Sequence, residues 1–188
     1  SFGDISICSF YPNKMITTGE GGMIFSNNQE YIARAKSLRN LAFTEKRFFN
    51  LEVGWNYRMT AMQAALGMSQ LRKLEQHKEI KENLAQIYFE NLDATFFKLP
   101  AKNIGHRHND FWVFPLEFES ELLKDHYLKA LDKYEIGHRP FFYPLSFQPF
   151  GNIKRMYKSD FAIRKYLNGA YIPLGVGHTV EEIMFVCG

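Results

Sequence analysis

Cysteine is nearly missing from this chain of 188 residues: Cys8 and Cys187 sit near opposite ends, with no second Cys or His at metal spacing beside either. Two thiols in a chain this size make no disulfide framework, and a reducing compartment fits, with the cytoplasm the expected location. Long apolar runs are also lacking; none approaches the roughly 18 residues of a membrane helix. The first residues carry no basic stretch leading into an apolar one, so they do not read as a signal peptide. An excess of charge of one sign is lacking as well. The net charge of +3 is spread over scattered Lys and Arg. That gives little reason to expect nucleic acid and at most a weak preference for small anions. Internal repeats and low-complexity segments are absent.

What the chain has is an ordinary globular balance, 46% apolar and 23% charged residues, with 18 Phe and 10 Tyr. A length of this order supports one good core or two small ones. The chain opens on Ser1, at a strand with no cap or turn before it, and stops mid-pattern in EEIMFVCG. Both features read as a chain cut at one or both ends.

The pattern of elements alternates. ISICSF (5–10) is a short apolar run that ends in a turn at Pro12 and Asn13. MITTGEGGMIFS predicts strand, glycine turn and strand, with Met15–Thr18 and Met23–Phe25 as the arms. NNQEYIARAKSLRN predicts a helix capped by Asn27 or Asn28, with Glu30 in its first turn and Arg39 in its last. Residues 41–56 form an aromatic, charged loop. After Thr60, apolar residues recur at Met62, Leu66, Leu71, Leu74, Ile80, Leu84, Ile87 and Tyr88, and neither Gly nor Pro interrupts 68–94. That predicts a long helix crossing between two domains, with the boundary near residue 77. The second part reads as compact α+β. FWVFPLEF (111–118) is a strand, and ELLKDHYLKALDKY (121–134) is a helix with Leu123, Tyr127, Leu131 and Tyr134 on one side. EIGHRPFFYPL is extended. Ser159 or Asp160 caps the next helix, which Gly169 stops, and Thr179 with Glu182 forms a capping box.

Chemistry centres on SFYPNKMITTGEGGM (9–23). Taken alone, a lysine beside Pro and Asn on a turn, Lys14, ordinarily reads as a solvated charge. Ser9 adds a hydroxyl at a strand end, and the glycines permit close backbone approach to a ligand. A lysine amine can attack a carbonyl and form a Schiff base. GEGG matches neither the P-loop nor the dinucleotide fingerprint. His106 and His108 could hold a metal, but they lie in a polar loop without a third ligand, so none is expected. Trp55 and Trp112 read as core or interface aromatics, and Cys8, on an apolar strand, as a buried inert thiol.

SFGDISICSFYPNKMITTGEGGMIFSNN strongly resembles the DegT/DnrJ/StrS sugar aminotransferases, and so do GWNYRMTAMQAALGMSQLRKLE (54–75), EIGHRPFFYPL (135–145) and YLNGAYIPLGVGHTVEEI (166–183). The resemblance implies an α/β fold, the C-terminal part of a pyridoxal-phosphate (PLP) dependent transferase of fold type I, aspartate-aminotransferase-like. Residues 1–76 would be the remnant of the large cofactor domain and 77–188 a small α+β domain. Lys14 falls on the family's Schiff-base lysine and Ser9 on its phosphate-holding serine. Asn56 falls on the asparagine that reaches the phosphate from a neighbouring subunit, which implies a homodimer with shared sites. Arg58 falls near the same subunit seam and is a weaker candidate for substrate contact; Arg139 lies in the small-domain segment that approaches the sugar nucleotide in relatives, although it reads equally as a surface arginine. Gly19, Glu20, Gly21 and Gly22 shape the turn.

The implied reaction moves an amino group from an amino acid, L-glutamate first, to a nucleotide-linked 4-keto-6-deoxy sugar in amino-sugar and lipopolysaccharide biosynthesis. HRPFFYPL looks closest to the GDP-perosamine-synthase-like branch, so a GDP-linked sugar ranks before a UDP-linked one. Ser146 stands where many relatives carry His. The family's first half, with its phosphate turn, ring-stacking aromatic and pyridine-pairing Asp, is not among these residues, so this chain is not expected to complete a PLP site by itself. The alternative reading is a non-catalytic fragment or split half that serves dimerisation or substrate binding.

Overall fold

The computed structural model describes residues 3–46, 48–149 and 159–188. The chain divides into two compact units on either side of Gln76 and His77.

The first unit begins with an antiparallel pair, β1 (Ser6–Ser9) and β2 (Gly22–Phe25), in which Ser6 lies opposite Phe25 and Ser9 opposite Gly22. The expected tight hairpin with Met15–Thr18 as its first arm is therefore wrong. The arms lie further apart, and residues 10–21 form the connection. Helix α1 (Gln29–Arg39) starts at Asn28, whose Oδ1 accepts from the amides of Glu30 at 2.8 Å and Tyr31 at 3.4 Å. Those bonds satisfy amides that the first helical turn leaves without intrahelical partners.

Helix α2 (Ala61–Leu71) opens on a full capping box between Thr60 and Gln63. The long continuous helix expected after Thr60 is broken. At Arg72 and Lys73 the chain tightens, with the Lys73 amide donating to the Gln70 carbonyl at 3.0 Å, before α3 (Leu74–Asn91) begins. A three-residue step of this kind ends a helix without Gly or Pro, so composition gives no warning of it. Cys8 also departs from expectation: it is exposed, as are Ile7, Met23, Ile24 and Phe25 on the same two strands.

The second unit is built on a four-stranded antiparallel sheet in the order β3 (Phe97–Lys98), β6 (Phe114–Phe118), β8 (Gly169–Ile172), β7 (Arg139–Pro140). A small hairpin pairs β4 (Asn103–Ile104) with β5 (Arg107–His108). The strand expected over 111–118 is shorter, because Phe111 has φ 47° and the extended backbone begins only at Phe114. In β6, alternate residues Phe114, Leu116 and Phe118 are buried, the period-two pattern of a strand with one face in the core.

That face meets Leu84, Ala85 and Tyr88 of α3, Leu131 of α4 (Glu121–Lys133), Ala170 and Ile172 of β8, and Ile183 of α6 (Val180–Cys187). Each Leu, Ile or Phe side chain there contributes about 1.5–3 kcal/mol when fully buried. The Tyr88 ring packs 4.7 Å from Phe114, and its hydroxyl donates to the Pro173 carbonyl at 2.7 Å. The buried face of α4 differs from the one expected. Leu123 and Tyr134 are exposed, and Lys124 is buried beside Leu131, its ammonium donating to the Leu167 carbonyl near the end of α5 (Asp160–Asn168). A lysine can occupy a core face when its stem packs and its head finds a carbonyl. Ser159 caps α5, and Thr179 with Glu182 forms the capping box of α6.

Candidate active site

Lys14 stands on the connection between β1 and β2, and that connection is closed at its base by one residue. The Phe10 amide donates to the Gly21 carbonyl at 2.9 Å. The Phe10 carbonyl accepts from the Thr18 amide at 3.0 Å and from Thr17 Oγ1 at 2.9 Å. Within the closed loop, the Lys14 amide donates to the Tyr11 carbonyl at 3.0 Å. Pro12 occupies the second position of that turn, where its fixed φ is suited. Lys14 is half-buried there. Ser9 ends β1 with its side chain exposed, and its Oγ accepts from the Tyr11 amide at 3.3 Å, which leaves the hydroxyl proton available to a ligand.

The glycines after the lysine serve the backbone. Gly21 has φ 147°, and a Cβ there would lie 2.6 Å from Thr18 Oγ1 and 3.0 Å from Met59 Cε. Thr18 is 4% exposed, and its hydroxyl donates to the Glu20 carbonyl at 2.7 Å. The same carbonyl accepts from Gln63 Nε2 at 3.1 Å. Residues 18–21 are thus held against the start of α2. Sequence reading passed over Gln63, although the T-x-x-Q spacing from Thr60 was a visible capping signal.

Asn56 and Arg58 belong to a second segment of the same unit. Residues 55–57 run antiparallel past the end of α1: Trp55 N donates to the Leu38 carbonyl at 2.7 Å, Leu41 N to the Trp55 carbonyl at 3.0 Å, and Tyr57 N to the Arg39 carbonyl at 3.0 Å. Asn56 bridges to Asn40 through the backbone and is exposed. The Arg58 guanidinium donates to Asn40 Oδ1. Gly54 makes this crossing possible, since a Cβ there would lie 2.4 Å from both the Leu41 carbonyl carbon and the Ala42 nitrogen. Leu41 and Ala42 both hold positive φ, 63° and 50°. The loop before Gly54 is pinned to α1 by a two-pronged pair between Arg34 and Glu52, which holds the Glu52 carboxyl below its usual range. Phe48, Leu51 and Val53 on that loop are exposed.

Arg139 lies in the other unit, on the edge strand β7 opposite Tyr171; it is exposed, and its guanidinium donates to the His138 carbonyl at 2.9 Å. His108 bonds Asn103 Oδ1 and Glu82 Oε1, each at 2.8 Å. Among the described residues no three His, Cys, Asp or Glu side chains gather as metal ligands. Nor is any helix among them long and apolar enough to cross a membrane. So the structure joins Ser9 and Lys14 on one strand and loop, puts Asn56 and Arg58 on another segment of that unit, and leaves Arg139 on a separate sheet edge.

Residues 1–187 match the model of the DegT/DnrJ/EryC1/StrS aminotransferase family. The chain belongs to that family. It is similar to the GDP-perosamine synthase of Vibrio cholerae, 36% identical over 147 residues, which cover 77% of this chain and 40% of that protein. It is also similar to the UDP-4-amino-4,6-dideoxy-N-acetyl-beta-L-altrosamine transaminase of Campylobacter jejuni subsp. jejuni serotype O:23/36, 34% identical over 119 residues, covering 62% and 32%. Among solved structures, Helicobacter pylori PseC, an aminotransferase involved in the biosynthesis of pseudoaminic acid, superposes with a TM-score of 0.88 at 24% identity, covering 99% of this chain and 52% of that one. The likeness in structure establishes the fold, a mixed α/β chain corresponding to part of a fold-type-I sugar aminotransferase. The chain spans between about a third and about half of the length of these relatives.

Proposed function

We propose that this chain carries the lysine-bearing part of a PLP-dependent sugar aminotransferase, with residues 1–76 belonging to the large cofactor domain and 77–188 forming the small one. The observation that carries the reading is the Lys14 loop: a half-buried lysine on a turn, closed at the base through Phe10 and following a strand-end serine. The donor set suits the cofactor. Lys14 offers an amine for an aldehyde, and Ser9 a hydroxyl with a free proton for a phosphate oxygen. Asn56 offers an exposed side-chain amide for the same phosphate in a partner subunit, which makes the assembly a homodimer.

When bound, PLP supplies the aldehyde that holds the migrating amino group and the ring that takes up the electron pair. Lys14 Nζ then works as base and acid. It takes the α-proton of the amino donor, L-glutamate, and in the second half delivers a proton to the sugar carbon that receives the amine. Arg58 and Arg139 are the substrate-contact residues, each offering a fork suited to carboxylate or diphosphate oxygens. The acceptor is a nucleotide-linked 4-keto-6-deoxy sugar, GDP-linked before UDP-linked, for cytoplasmic amino-sugar and glycan synthesis.

Borohydride reduction of the PLP-loaded holoenzyme, followed by peptide mapping, tests the assignment. The pyridoxyl group is expected on the peptide containing Lys14 and is lost in Lys14→Ala. An adduct on another lysine in the unmutated protein overturns it. Transfer of labelled nitrogen from glutamate to the GDP- or the UDP-linked keto sugar decides the nucleotide.

A further inference from the structure

We propose that Gln63 is a positioning residue for Lys14, holding the far end of the lysine loop to helix α2; the role, though not the tether, rests on the assignment of Lys14 above. The side chain works in two directions at once. Oε1 accepts from the Thr60 amide at 2.9 Å and from Thr60 Oγ1 at 3.1 Å, which completes the cap of α2. Nε2 donates to the Glu20 carbonyl at 3.1 Å, across 43 residues of chain. The orientation of the amide is fixed by chemistry, because a backbone N–H can only donate and a backbone carbonyl can only accept.

The Glu20 carbonyl is also the acceptor for the Thr18 hydroxyl at 2.7 Å. Thr18 in turn closes the loop through its amide to Phe10. Lys14 therefore sits between two fixed ends. One is the β1 strand with Phe10; the other is the Thr18–Gly21 turn, which Gln63 ties to a helix. Without the second tie, the Thr17–Gly21 segment would keep its bonds to Phe10, its own short-range bonds and the packing of Thr18 and Gly21, but would lose its anchor on a helix. The amine would then sample more positions relative to anything bound over Ser9. Orientation of a reacting group within a fraction of an ångström is worth large rate factors.

Two substitutions separate the tether from the cap. Gln63→Glu keeps an acceptor for the Thr60 amide and keeps a favoured capping-box residue, but it places a carboxylate against the Glu20 carbonyl, where a donor stood. Thr60→Ala removes the cap hydroxyl and leaves the amide of Gln63 to reach Glu20. The first readout is hydrogen exchange at the Thr18 amide in protein without cofactor. The second is the rate at which added PLP labels Lys14 in the cofactor-free protein, trapped with borohydride at successive times. Helical circular dichroism is recorded on each.

For Gln63→Glu, exchange at Thr18 is expected to rise roughly fivefold and Lys14 labelling to slow by a similar factor, the size expected for loss of one neutral hydrogen bond. Helicity is unchanged. For Thr60→Ala, helicity falls while Thr18 exchange stays within twofold of the parent. Unchanged exchange and labelling in Gln63→Glu overturns the proposal, as does an equal loss of both in Thr60→Ala, which would reduce Gln63 to a helix cap. If PLP labels no Lys14 even in the parent protein, the assignment of the lysine fails instead, and the exchange measurement still decides whether the tether exists.

Discussion

Lys81 of α3 is 4% exposed, and its ammonium donates to the Trp112 carbonyl at 2.8 Å. Burial pulls its pKa down from 10.5 to about 8. The cause is the loss of water around the charge, which one carbonyl replaces only in part. Folding stability then depends on pH in a definite direction. Between pH 8 and 10.5 the unfolded chain still holds the proton that the folded chain has released. The unfolded state binds more protons there, so stability rises with pH across that window. At 1.36 kcal/mol per pK unit, the shift corresponds to about 3 kcal/mol. Below pH 8 the charge is buried and the whole penalty is present.

Lys81→Met removes the titration and keeps most of the volume of the stem. At neutral pH the variant is expected to be close to the parent in stability, because relief of the buried charge offsets removal of a donor from the Trp112 carbonyl. At the top of the window the parent should be the more stable of the two. Urea unfolding at several pH values measures the difference. Fluorescence reports on Trp112 in a Trp55→Phe background, since the chain has two tryptophans. Cys187, pushed up by burial, and Tyr127, pushed up to about 12 by burial and the nearby Cys187, act in the opposite sense at alkaline pH. They are common to both proteins and cancel in the difference. A gap that stays flat from pH 8 to 10.5, or that moves in favour of the methionine variant, refutes the reasoning.

The remaining predictions concern close backbone approaches in the first unit. Gly54→Ala puts a Cβ 2.4 Å from the backbone of Leu41 and Ala42, which no side-chain rotation relieves. A loss of about 3 kcal/mol is expected, with the Asn40–Asn56 bridge opened. The urea midpoint and Trp55 emission check it, and the argument fails if both are unchanged. Gly67→Ala sets a gain of about 1 kcal/mol in helix propensity against a Cβ 2.8 Å from the Thr18 methyl group. The contact is expected to win, because overpacking costs roughly 1–3 kcal/mol and Thr18 is held by its bonds to Phe10 and Glu20. Adding Thr18→Ser, which removes the methyl group and keeps the hydroxyl, should restore stability; a double variant no more stable than Gly67→Ala rules out the clash.

The caps were the most legible part of the fold. Asn28 of the two asparagines offered, Ser159 of the pair Ser159 and Asp160, and the Thr179–Glu182 pair act as caps, because a cap is a local bond between residues two or three apart. Features set by contacts distant in the chain were not legible. The partner of β2 is β1 and not Met15–Thr18, since the hydroxyls of Thr17 and Thr18 bond backbone carbonyls and take that stretch out of any ladder. Lys124 was invisible as a core-face residue because its partner, the Leu167 carbonyl, lies 43 positions on. Cys8 was misjudged by the same logic. An apolar strand implies burial only if something covers it, and neither face of β1 is deeply covered by these residues.

At the candidate site the division falls between side chains that carry chemistry and those that hold the backbone. Under the proposed function Lys14, Ser9 and Asn56 carry the chemistry; Lys14 and Ser9 offer an amine and a hydroxyl beside a glycine turn, and Asn56 is legible through the family resemblance alone. The residues that fix Lys14 act mainly through carbonyls, amides and missing Cβ atoms. The Glu20 contribution is its carbonyl, which any residue could supply, while Gly21 contributes the absence of a side chain. Gln63 and Thr18 are the exceptions, where side-chain groups perform the holding, and both look unremarkable in a helix start and a polar turn. What GEGG encodes is therefore less a ligand cradle than a turn tight enough to bring one carbonyl to two side-chain donors. If Gln63 holds that turn as proposed, the Lys14 loop is fixed at its Thr18–Gly21 end as well as at Phe10.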